Sequence, residues 1–189
     1  EHISRAYKQR RHVDIAELKG LLVKTCEILT GRFGKNMISD ISLELNPNRK
    51  IAIDCEDDSM VYFSEKFEFA AMHKLWNPEF SEEKNYEIFG KCAHPSGHGH
   101  NYVVEVVVKA DEQSEISYGK IEKVINENLI ELVDHRNLNA DITYFHDHNP
   151  TIENIAVFSW DQLVGKFKNS VLHAVTVWET DKTFCTYHG

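Results

Sequence analysis

The stretch Gly90–Tyr102, GKCAHPSGHGHNY, holds one cysteine and three histidines immediately ahead of a valine-rich run. In an extended chain residues i and i+2 point to the same side, so His98 and His100 can offer two imidazoles to one cation. Zinc favours tetrahedral nitrogen and sulfur donors, and a catalytic zinc keeps one position open beyond its three protein ligands. His73 is the best third donor. It ends the preceding strand-like run, and antiparallel pairing of that run with 100–108 sets it beside His98 and His100. Taken alone, His-Gly-His also fits a surface turn with incidental histidines; the third histidine at the matching strand end favours the metal.

Cys92 has two readings. It is a base or nucleophile whose pKa is lowered by a nearby metal or imidazole, or it is an inert thiol. His94 reads as a solvent-facing loop residue. Asp134–His135 pairs a carboxylate with an imidazole that it can orient, and Cys92 would complete a proton relay. The same dipeptide also suits a helix C-terminus, where a cationic histidine meets the negative end of the dipole. Glu179 closes the apolar run AVTVWE; it is either an acceptor for the N–H groups of a bound heterocycle or a strand-end charge in water. His2, His12, His146, His148, His173 and His188 form no constellation.

The elements that must hold these residues follow from hydrophobic period. Ile15, Leu18, Leu22, Cys26 and Leu29 recur at helical spacing, Asp14 and Glu17 have the spacing of a capping box, and Gly31 is a suitable stop. Residues 37–53 read as two strands with Asn46-Pro47-Asn48 as their turn. Met60–Met72 alternates as a strand; a loop of about 25 residues from His73 to Gly99 is long enough to be functional. His100–Val108 is a strong strand with Tyr102, Val104, Val106 and Val108 on one face. A helix over 117–133 has Ile121, Ile125, Leu129 and Leu132 on its stripe. A second, over 151–168, has Ile152, Ile155, Ser159, Leu163 and Phe167, with Thr151 as N-cap. Strands Val171–Glu179 and Lys182–Tyr187 close the chain around a turn at Thr180–Asp181. This order predicts an α+β domain, an antiparallel sheet with helices on one face. VDIAELKGLL and GKIEKVINENLIEL are similar enough to suggest that residues 13–55 end a degenerate earlier half-domain.

At 189 residues the chain suits one domain with a sizeable core. Its net charge of −9 argues against broad nucleic-acid binding but leaves room for an anionic small substrate met by local cations. No apolar run is long enough to span a membrane. The polar start EHISRAYKQRRH reads as a loose arm without a signal-peptide core, and the missing Met suggests a processed form of a longer chain. Cys26, Cys55, Cys92 and Cys185 are scattered, so a reduced, cytoplasmic setting is expected, with Cys26 in the core and Cys55 and Cys185 structural or neutral.

Together these residues resemble the 6-pyruvoyl-tetrahydropterin synthase family. The resemblance rests on FEFAAMHKL at 67–75, NYEIFGKCAHPSGHGHNYVVEVVV at 85–108, LVDHRNLN at 132–139, PTIENIAVFSW at 150–160 and VTVWETDK at 175–182. It runs in unbroken order over about residues 60–189, leaving 1–59 as an N-terminal extension. It implies a T-fold, a four-stranded antiparallel sheet with two helices on one face, whose subunits assemble into barrels; animal-type members are hexamers, two trimers face to face, with sites between subunits. It implies Zn²⁺ on His73, His98 and His100, a catalytic Cys92 with the pair Asp134 and His135, and a pterin-anchoring Glu179. Thr151 and Glu153 fall on the Thr-Glu opening of the family's second helix, but Ile152 stands where animal enzymes have a second threonine. The implied reaction turns 7,8-dihydroneopterin triphosphate into 6-pyruvoyl-tetrahydropterin with loss of triphosphate, which Mg²⁺ can accompany. Lys74, Lys91 and Arg136 are triphosphate candidates by proximity in sequence.

Two related branches are the nearest alternatives, and Cys92 and its spacing argue against both. The relative that makes 6-carboxy-tetrahydropterin for queuosine has its cysteine nearer the motif, as C-x3-HGH, whereas here five residues separate Cys92 from His98. Another branch, making a folate precursor, replaces the cysteine by glutamate. A third alternative is a non-catalytic zinc-binding oligomer.

Overall fold

The computed structural model describes residues 15–34, 36–111 and 117–189. In chain order they form α1 (Ile15–Phe33), β1 (Asp40–Asn46), β2 (Arg49–Asp54), β3 (Met60–His73), α2 (Glu82–Phe89), a 3-10 turn at Gly90–Ala93, and β4 (His98–Asp111). Then come α3 (Tyr118–Ile125), a π turn at Asn126–Ile130, α4 (Glu131–Val133), β5 (Arg136–Asn137), α5 (Leu138–Asp141) and α6 (Tyr144–Asp147). The chain closes with α7 (Ile152–Leu163), β6 (Val171–Thr180) and β7 (Thr183–Tyr187).

The sheet runs β1-β2-β3-β4-β6-β7, antiparallel throughout, with β5 added in parallel to β3. β3, β4, β6 and β7 are the four strands expected. The sheet is wider because the β1–β2 hairpin continues it beyond β3. Strand alternation sends Phe69, Tyr102, Val104, Val106, Val108, Val175 and Val177 under the helices, where all are buried. Leu18, Leu22 and Cys26 of α1, with Ile51 and Ile53 of β2, belong to that same core.

Several boundaries differ from the sequence reading, each for a physical reason. The capping-box residue Asp14 lies outside the described residues. Gly31 does not end α1; Gly34 does, at φ 102°, where its N–H reaches Thr30. The loop from His73 to Gly99 carries a helix of its own, capped by Ser81, which accepts from the Lys84 N–H. The π turn adds a residue, so Val133 (1% exposed) replaces Leu132 (43% exposed) on the inner stripe. The last long helix stops at Leu163, and Gly165 (φ 74°) turns the chain so that Phe167 packs on the core from beyond the helix. The scattered cysteines are not all solitary: the fold brings Cys26 and Cys55 together as a disulfide with Cα atoms 5.8 Å apart, and leaves Cys92 and Cys185 free.

The N-terminal hairpin is tied to the rest by charge. Arg49 of β2 donates from Nε to Glu65 on β3 at 2.6 Å and from Nη2 to Glu122 on α3 at 2.7 Å. Burial pushes the Glu65 carboxyl up, and Arg49 works against that shift.

Candidate metal centre and active site

Strand register assembles the histidines. β3 and β4 pair antiparallel with His73 opposite His98 and Ala71 opposite His100, so all three imidazoles leave the same face at the same end of the sheet. Gly97 makes the approach possible: at φ 67°, a Cβ there would lie 2.7 Å from the His73 carbonyl oxygen. His73 Nδ1 lies 2.8 Å from the Pro150 carbonyl, which only accepts, so the proton sits on Nδ1 and the Nε2 lone pair faces the cluster. Burial holds His73 and His98 below the ordinary imidazole range, which keeps them neutral and able to ligate.

His73 Nε2 is 3.1 Å from His98 Nε2. Glu179 Oε1 is 2.7 Å from His100 Nε2 and 3.5 Å from His73 Nε2. One donor atom from each of these four residues lies within 4.8 Å of every other. Bonds of the length zinc makes to nitrogen and oxygen set tetrahedral neighbours about 3.3 Å apart, and the observed spacings bracket that value. His100 Nε2 is buried with no hydrogen bond, despite the nearby carboxylate. A polar atom buried and unpaired in this way suits a metal ligand. The donor set therefore fits a divalent cation.

Cys92 sits beside this cluster, its Sγ 3.8 Å from His98 Nε2. The 3-10 turn places it, and the Leu75 N–H pins that turn by donating to the Cys92 carbonyl. Burial first, then the charge of Glu179, push the thiol above its ordinary value in the protein alone. A bound cation acts the other way. Asn85, fully buried, organises the preceding loop. Its amide donates to the Asn77, Phe80 and Ser81 carbonyls, and its Oδ1 accepts from the Asn77 N–H. Nothing in its local pattern marked it beforehand; it is legible only once the loop is seen to fold back on itself.

Asp134 and His135 hold one another at 2.9 Å. Asp134 Oδ1 accepts from the Ala70 N–H and the His135 N–H donates to the Ala70 carbonyl, fixing the pair to the edge of β3. That backbone hydrogen bond, before the neighbouring His135, keeps the Asp134 carboxyl below its usual range. His135 is a non-glycine residue at φ 57° with an imidazole 82% exposed. No hydrogen bond joins it to Cys92 in this chain. It borders an open cleft of about 610 Å³, shared with Ala71, Gly99, His100 and Arg136.

Thr151 acts as the α7 N-cap, accepting from the Asn154 N–H at 3.4 Å. Glu153 is exposed in the first turn of α7, and its charge helps raise the Cys185 thiol. His94 is exposed, as expected. Lys91 and Arg136 are exposed, and Lys74 Nζ lies over Trp76, 3.9 Å from the ring centre.

The chain matches the family model described as 6-pyruvoyl tetrahydropterin synthase over residues 62–189. It is 38% identical over 130 residues to the human 6-pyruvoyl tetrahydrobiopterin synthase, covering 67% of this chain and 90% of that one. The Drosophila melanogaster protein of the same name is 33% identical over 135 residues, covering 69% of this chain and 80% of that one. Among solved structures, Caenorhabditis elegans 6-pyruvoyl tetrahydropterin synthase superposes with a TM-score of 0.63 at 36% identity, covering 69% of this chain and 96% of that chain. With the histidine cluster, the cysteine beside it and the strand ends that hold them all lying inside the matched span, the chain belongs to the 6-pyruvoyl tetrahydropterin synthase family.

Proposed function

We propose that this chain is a zinc-dependent 6-pyruvoyl-tetrahydropterin synthase, a lyase that converts 7,8-dihydroneopterin triphosphate to 6-pyruvoyl-tetrahydropterin with loss of triphosphate, in tetrahydrobiopterin synthesis. The observation that carries it is a free thiol, Cys92, 3.8 Å from one histidine of a half-buried three-histidine cluster. His73, His98 and His100 would hold the zinc. When bound, the ion supplies Lewis-acid stabilisation of charge developing on the substrate's side-chain oxygens. Cys92 takes a proton from the side-chain carbon, and its short turn keeps it at the cluster's edge. Glu179 accepts hydrogen bonds from the pterin N–H groups, with Thr151 and Glu153 as further substrate-binding residues. Asp134 holds the His135 imidazole in one tautomer for proton return.

The test is Cys92→Ala. Turnover falls by about 10²–10⁴-fold, the range for loss of a general base, while zinc content stays unchanged. Undiminished turnover would remove Cys92 from the chemistry. The reading of a non-catalytic zinc oligomer draws support from one feature, the separation of His135 from Cys92, and this variant decides against it or for it.

That separation supports a shared site. The exposed His135 reaches outward, so in a homo-oligomer it serves the site of an adjacent copy. The family's form is a hexamer of two trimers. In this chain β2 already lies on β3, so the strand edges left open among the described residues for joining copies are β1 and β7.

Residues 1–59 are proposed as an N-terminal unit derived from a degenerate half-domain, with 60–189 as the catalytic domain. In support, α1-β1-β2 repeats the order α7-β6-β7, each a helix followed by a tightly turned antiparallel hairpin. No helix among the described residues is long and apolar enough to cross a membrane. The proposed setting is the cytoplasm, where Cys92 stays reduced.

A further inference from the structure

His73 is the last residue of β3, yet the chain just beyond it is pinned. Asn139 does most of this. Its Oδ1 accepts from the Lys74 N–H at 2.7 Å, and its Nδ2 donates to the Lys74 carbonyl at 2.9 Å. One carboxamide thus grips both the peptide that joins His73 to Lys74 and the peptide that joins Lys74 to Leu75. The second is held at its other end too, since the Leu75 N–H donates to the Cys92 carbonyl at 2.8 Å. Asn139 does not serve its own helix. Asn137 caps α5 by accepting from the Ala140 N–H, and asparagine is a poor helix former. Its place has a reason in the sheet. β5 pairs with β3 through Ala71–Arg136 and Met72–Asn137, and Lys74 lies as far beyond Ala71 as Asn139 lies beyond Arg136. α5 turns the backbone away before that rung can form, and a carboxamide offers the same donor and acceptor as a peptide. The other end of this segment is fixed at Ala70, which bonds Asp134 and His135.

We propose that Asn139 is a positioning residue for the reaction. Its carboxamide stands in for the missing rung of the β5–β3 ladder. It thereby fixes His73 within the histidine cluster and the Cys92 turn at the cluster's edge. Without it, the two peptides between metal ligand and thiol are free to shift, while the hydrophobic core, of which Asn139 is no part, stays in place. This inference deepens the catalytic reading above and rests on it.

The test compares Asn139→Ala, Asn139→Asp and Asn128→Ala in the full-length protein. Asn139→Asp keeps an oxygen for the Lys74 N–H but sets a second oxygen against the Lys74 carbonyl. Asn128→Ala removes an amide-to-carbonyl bond of similar length, 2.8 Å to Val124, from the helical layer, and reports what a merely structural loss does. Thermal melts of the zinc-free proteins check that each folds. Zinc affinity, read by competition with a chromophoric chelator, should fall about tenfold or more in both Asn139 variants and stay unchanged in Asn128→Ala. The visible absorption bands of the Co²⁺-loaded protein should shift in the Asn139 variants only. At saturating zinc their kcat should drop by about 10²-fold with KM little changed, the effect of a small misplacement between reacting groups. Full zinc affinity and unshifted Co²⁺ bands in a folded Asn139 variant, or equal losses in Asn128→Ala, overturn the proposal. If neither Asn139 variant folds, Asn139 is structural and the proposal falls. His98→Ala separates the failures: if it loses zinc while the Asn139 variants keep it, the three-histidine site stands and only the positioning role falls. If it too retains zinc, the metal site itself is misplaced and the functional reading falls with it.

Discussion

At the scale of single residues, the site was legible because a strand has a period of two. His98 and His100 had to share a side, and antiparallel pairing had to bring His73 to them; the register opposes His73 and His98 directly. Glu179 was read as a substrate acceptor, and its place near the metal donors follows from the pairing of β6 with β4, which sets Val177 opposite Val104 and sends Glu179 to the same face. Cys92 could be named but not positioned, because the Leu75 hydrogen bond that fixes it comes from a loop with no periodic signal. Gly97 is the residue on which the geometry turns. Gly97→Ala puts a methyl 2.7 Å from the His73 carbonyl oxygen at φ 67°. It is expected to cost about 2 kcal/mol or more, seen as a lower melting temperature, and to weaken zinc retention as His73 and His98 part. An unchanged melt and full zinc content would mean that the loop reaches the cluster by another path.

At the scale of elements, the strands and long helices followed from their apolar periods, whereas the short pieces did not. The helix Glu82–Phe89 has few apolar residues to mark a face, and its clearest sign was the Ser81 cap followed by Glu82 and Glu83. The π turn was invisible because a one-residue insertion leaves the residue types helical while moving Val133 inward in place of Leu132. The β1–β2 hairpin was read correctly as two strands, but its destination depended on a long-range ion pair. Arg49 compensates Glu65, whose side chain is 5% exposed. Arg49→Met leaves that carboxylate buried without its cation and should cost about 2 kcal/mol near neutral pH. The sign with pH follows from the direction of the shift. Burial raises the folded pKa of Glu65, and losing Arg49 raises it further. The penalty is therefore full above the folded pKa and disappears as pH falls toward the unfolded value. Melting curves of the two proteins should converge on acidification; a gap that widens instead would assign the loss to packing.

At the scale of the whole molecule, the six long strands end, among the described residues, in two open edges, β1 and β7, and the strand directions alternate so that one edge can continue onto the other. Such edges invite pairing with another chain. Light scattering on the intact protein should return a multiple of the protomer mass, and a monomer at working concentration would leave the exposed His135 without a site to complete. The −9 charge argues against broad nucleic-acid binding, and the family is one that acts on a pterin. The reaction is defined by its product. Incubation of the zinc-loaded protein with 7,8-dihydroneopterin triphosphate, followed by mass analysis, should yield 6-pyruvoyl-tetrahydropterin and one equivalent of inorganic triphosphate. A 6-carboxy-tetrahydropterin product, or intact substrate beside a fully zinc-loaded protein, would contradict it.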